Sequence, residues 1–82
     1  MFPTTNRVIF ERILADQYRD LFANDPEYAY AKSRQTPESL AAIMVGSGAT
    51  FTANKDGDGI RRTCKALGIK HTYKAINEYL SR

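Results

Sequence analysis

The chain has 82 residues, 43% of them hydrophobic and 26% charged, with a net charge of +3. That is room for one domain (residues 1–82) with a small core. A single cysteine, Cys64, excludes an internal disulfide framework, and no apolar run approaches the roughly 20 residues that a membrane-spanning helix needs.

The charge is unevenly spread. Residues 1–54 hold five basic and six acidic side chains, a balance of −1, whereas residues 55–82 hold seven and three, a balance of +4. A basic C-terminal third is expected to face a polyanion. The opening MFPTTNR has no apolar signal core, so the cytoplasm is the expected compartment.

The first element is a helix over residues 6–23, with Thr4, Thr5 or Asn6 available to cap it. Phe10, Ile13, Leu14, Tyr18 and Leu21 recur at three- and four-residue spacing and form its core face, widened by Ile9 and Phe22. Arg12 and Asp16 are spaced for an i,i+4 ion pair. Asn24-Asp25-Pro26 ends this helix and starts another over 26–33, with Asp25 as cap and Pro26 in the first turn. Tyr28 and Tyr30 lie two apart, so one faces the core and the other is left for stacking or protein contact.

Thr36-Pro37-Glu38 repeats the start signal, and Leu40, Ile43 and Met44 supply the apolar stripe of a third helix that fades near Gly46 or Gly48. Those glycines lack the Gly-Lys-Ser/Thr ending that a phosphate-cradling loop requires. Phe51 is expected to pin the following loop to the core, and residues 49–53 can run extended. The segment 54–59 alternates Asn54, Asp56 and Asp58 and puts Gly59 sixth, as in a calcium loop. The twelfth position is Lys65, where such a loop places a bidentate glutamate, so calcium is excluded. A glycine turn with Asp58 capping a fourth helix is the reading that fits.

Ile60, Thr63, Cys64 and Leu67 form the inward stripe of that helix, which leaves Arg61, Arg62 and Lys65 outward. Gly68 is placed to stop it in the left-handed conformation, Ile69 tucks back, and Thr72 or His71 starts a last helix whose buried stripe is Tyr73, Ile76 and Leu80. The fold class is therefore all-α, with four to five short helices and the first packed across the C-terminal pair.

Residues 60–80 resemble a helix-turn-helix DNA-binding unit: small Cys64, the Leu67-Gly68-Ile69 turn, then a polar-fronted second helix. The tail is also similar to small bacterial or phage proteins. The helix-turn-helix resemblance implies that Lys70, His71, Thr72 and Lys74 front a recognition helix in the major groove while Arg61, Arg62 and Lys65 meet phosphates. The pattern departs from that family at Lys74, where the family buries an aliphatic side chain.

Catalysis is not expected. Cys64 lies on the buried stripe and His71 beyond the turn, so they form no dyad, and one histidine with one cysteine is too small a set for a metal. No cofactor is expected either. The expected partner is DNA or another nucleic acid, with an acidic protein as the alternative and a homodimer compatible with either. No membrane partner is expected.

Overall fold

The computed structural model describes residues 5–47 and 57–82. The expectations for Phe51, for the extended segment 49–53 and for a loop at Gly48 fall outside them.

The described residues form five helices and no strand: α1 (Asn6–Asn24), α2 (Pro26–Ala31), α3 (Pro37–Ser47), α4 (Gly57–Leu67) and α5 (Tyr73–Leu80). Four of them begin at the side chains that could satisfy free backbone N–H groups. Thr5 Oγ1 accepts from Val8 N (3.3 Å), Asp25 Oδ1 from Tyr28 N (3.1 Å), Thr36 Oγ1 from Ser39 N (3.0 Å) and Thr72 Oγ1 from Ala75 N (3.2 Å). Asp58 is not a cap. Helix α4 begins at Gly57, so Asp58 lies in its first turn, where its charge faces the helix N-terminus and Arg61 lies 3.6 Å away.

Helix α1 is the axis of the molecule. It packs most extensively on α3 and α4, less on α2 and least on α5. Phe10, Leu14 and Tyr18 are fully buried along it, and Leu21 and Phe22 extend the contact. The α3 stripe is shifted from the expected one. Leu40, Ala41, Met44 and Val45 are buried, and Ile43 is half exposed because it falls on the opposite side of the helix from Ala41 and Val45. Of the two α2 tyrosines, Tyr28 packs against Phe22 edge-on at 5.6 Å and lies stacked with Tyr18 at 6.4 Å, while Tyr30 is 84% exposed.

The ion pair on α1 also differs from expectation. Asp16 meets Arg19 (2.6 Å) rather than Arg12, because Arg19 reaches across to Glu38 on α3 and lies between the two carboxylates.

Gly59 is helical and buried rather than part of a turn. A Cβ there would lie 2.5 Å from Tyr18 Cε1, so the missing side chain is what lets α4 cross α1 this closely. One turn on, buried Thr63 Oγ1 donates to Gly59 O (2.7 Å), which satisfies its hydroxyl inside the core.

Candidate nucleic-acid interface

Helix α4 ends as its sequence requires. Gly68 has φ +71°, Gly68 N donates to Lys65 O (3.2 Å) and Ile69 N donates to Cys64 O (3.0 Å). That pair of bonds is the Schellman stop, in which glycine takes the left-handed conformation without a Cβ penalty. Ile69 then packs against the core, and Lys70, His71 and Thr72 carry the chain to α5.

With Ile60, Thr63 and Cys64 all buried, Arg61, Arg62 and Lys65 are forced onto the outer face of α4 and are exposed. At about 100° per residue they lie within an arc of roughly 100°. Asp58 shares that face and partly offsets Arg61. Among the described residues, Arg62, Lys65, Lys70 and Lys74 form no ion pair. Lys70, His71, Thr72 and Lys74 are all exposed. Thr72 Oγ1 is occupied as an acceptor by its cap, which leaves its hydroxyl proton available to donate.

The structure corrects the inner stripe of α5. Ile76 is fully buried and Leu80 packs on the core, but Tyr73 is 49% exposed. Tyr79 takes the inward place, with its ring 6.3 Å from Phe10. Asn6, one of the cap candidates for α1, instead donates from Nδ2 to Tyr79 O (2.9 Å) and satisfies a carbonyl at the end of α5.

Tyr73 therefore heads an open groove on the outer side of α5, completed by Lys74, Asn77, Glu78, Ser81 and Arg82. None of the α4 cations lines it. The predicted residues thus divide into three groups: Arg61, Arg62 and Lys65 on α4, Lys70 to Thr72 on the turn, and Lys74 in the α5 groove. Sequence reasoning left Asn77 off the buried stripe but placed Tyr73 on it and gave Arg82 no role. The signal for Tyr73 was the row of Tyr73, Asn77 and Ser81 at four-residue spacing, which puts an aromatic and two polar side chains on one face.

Burial pushes the Cys64 thiol up to about 11, because the thiolate would have to form among apolar side chains. Cys64 is 1% exposed and His71 lies outside on the turn. Among the described residues, no three His, Cys, Asp or Glu side chains are grouped to hold a metal ion, and no helix is long and apolar enough to cross a membrane.

Comparison with protein-family models, curated proteins and solved structures gives no match to this chain.

Proposed function

We propose that this protein binds nucleic acid through the outward basic faces of its last two helices, as a small regulator or accessory factor. The carrying observation is the exposure of Arg61, Arg62 and Lys65 on α4, Lys70 on the turn and Lys74 on α5, with Asp58 placed against Arg61 and Glu78 sharing the α5 groove with Lys74. Residues 57–82 hold six basic and two acidic side chains, a field that attracts a polyanion and that salt screens. On this reading phosphate contacts from these five cations supply affinity, and the exposed His71 and Thr72 contact bases. The reading is one of binding, and Cys64 takes no part as a nucleophile in it, because its thiol is buried and pushed up to about 11. A lone reduced cysteine suits the cytoplasm.

Titration of labelled duplex and single-stranded DNA at two salt concentrations tests the proposal. Five neutralised phosphates give a log–log salt slope of about −4 to −5 on a duplex. Absence of binding to either form at about 50 mM salt sinks it.

A protein-interaction module is the second reading. It is favoured by three exposed apolar side chains on α2, α3 and α1: Tyr30 (84%), Ile43 (50%) and Val8 (40%). On this reading the basic faces dock on an acidic protein, or the apolar side chains join two copies of the chain. Sedimentation equilibrium across a concentration series separates a homodimer from a monomer.

A further inference from the structure

We infer that the groove along α5 takes single-stranded nucleic acid, with a base stacked on Tyr73 and the adjoining phosphates held by Lys74 and Arg82. This rests on the nucleic-acid reading and narrows it in substrate and place.

The first ground is the ring itself. Every other large apolar side chain of α5 turns inward: Ile76 is fully buried, and Tyr79 and Leu80 pack on the core. Tyr73 keeps half its surface in solvent at the head of the groove. An exposed aromatic face flanked by cations is the basic unit of single-strand binding, because every base offers a π-face and stacking needs no particular hydrogen-bond pattern.

The second ground is the order of groups along the groove. Tyr73 and Asn77 form one row of α5 with Ser81 at its C-cap, and Lys74 and Glu78 form the row beside it, with Arg82 just past the helix end. The two cations therefore stand at opposite ends of the groove. Glu78 between them repels a phosphate at mid-groove and accepts from base amino groups, so phosphates belong at the ends and bases in the middle.

The third ground is what the pair of helices does not offer a duplex. A major-groove reader presents the polar N-terminal residues of its second helix to base edges, supported by the first helix across a turn of three or four residues. Here five residues, Gly68 to Thr72, separate α4 from α5, each helix is seated on α1, and a tyrosine ring occupies the first position of α5.

The test is fluorescence anisotropy at about 50 mM salt with a short mixed-sequence DNA strand, the same sequence as RNA, and the DNA duplex. The wild-type protein is expected to bind the single strands at least about 10-fold more tightly than the duplex. Tyr73→Ala is expected to lose about 10-fold or more on single strands and to stay within about twofold on the duplex. Tyr73→Trp is the folding control and a second readout. The chain has no tryptophan, so its emission reports this site alone and is quenched as a base stacks on it. Duplex binding as tight as single-strand binding, or Tyr73→Ala within about twofold of wild type on single strands, overturns this inference and leaves the broader reading standing. Binding of none of the three probes overturns both.

Discussion

Helices α4 and α5 are both short, amphipathic and seated on α1, yet they are held in different ways. Helix α4 buries Gly59, Ile60, Thr63 and Cys64, presses its glycine against Tyr18 and closes with a full Schellman stop. Helix α5 fully buries only Ile76 and is fixed by hydrogen bonds at its two ends, the Thr72 cap and Asn6 on Tyr79 O. The difference separates roles. Of the two helices, α4 packs the more closely on α1, whereas α5 leaves its large aromatic Tyr73 on an open face. Elements with few buried contacts are the ones free to adapt to a ligand.

The sharpest way to break this contrast is at Tyr18. Tyr18→Ala removes a fully buried ring from the α1–α4 crossing and is expected to cost about 3–5 kcal/mol. For 82 residues the whole stability is roughly 4–12 kcal/mol, so urea denaturation should show a large fall in midpoint or no folded baseline. A loss under about 1 kcal/mol would mean that the crossing is not where the stability lies.

Gly59→Ala sharpens the same point with a change of sign. In the wild-type background the new Cβ meets Tyr18 Cε1 at 2.5 Å and Cδ1 at 2.9 Å, and the fully buried ring has little room to retreat. Overpacking of about 1–3 kcal/mol then outweighs the roughly 1 kcal/mol that alanine gains over glycine in a helix. In a Tyr18→Phe background the clash persists. In a background where residue 18 is leucine, the ring atoms are gone and the substitution should become neutral or stabilising. Equal effects in all three backgrounds would show that the two residues are not coupled.

At α5 the expected effect is smaller. Thr72→Ala removes the hydroxyl that accepts from Ala75 N and should cost about 1 kcal/mol, with Thr72→Ser retaining most of it. Thermal melts and amide exchange at Ala75 check this. A cap role predicts that serine rescues both stability and exchange protection.

How far these features were legible depends on the distance over which each is decided. The caps and the stop at Gly68 are local chemistry: Asp25, Thr36 and Gly68 stand where the sequence places them, and Thr5 and Thr72 are each among the candidates it offers. The α4 stripe is likewise a matter of spacing. Tyr73 and Tyr79 are another matter. Each lies three residues from Ile76, about 60° to either side of it, so periodicity cannot choose between them. Phe10 and Asn6, some seventy positions away, make the choice. The inward role of Gly59 is set by Tyr18, and Asp16 pairs with Arg19 because Glu38 on another helix draws that side chain over. The α5 groove was hidden for the same reason, since it opens only once Tyr73 is turned out.

The smallest expected effect lies at the Arg19–Glu38 bridge between α1 and α3. The Glu38 carboxyl is held below its usual range, first by its own backbone N–H at the start of α3 and then by Arg19. A carboxyl whose folded pKa is depressed contributes stability above its unfolded value, near pH 4.3, and loses that contribution as pH falls through the lower folded value. Wild type should therefore exceed Glu38→Gln by a constant margin at neutral pH, and the margin should close below about pH 4. It should also shrink with added salt, because both side chains are exposed and such pairs are weak. Chemical denaturation of both proteins from pH 7 to 3 reads the margin directly. Since the bridge joins α1 to α3 and touches neither α4 nor α5, Glu38→Gln should leave single-strand affinity unchanged at neutral pH; a fall there would mean that the N-terminal helices take part in binding and that α4 and α5 do not hold the interface alone.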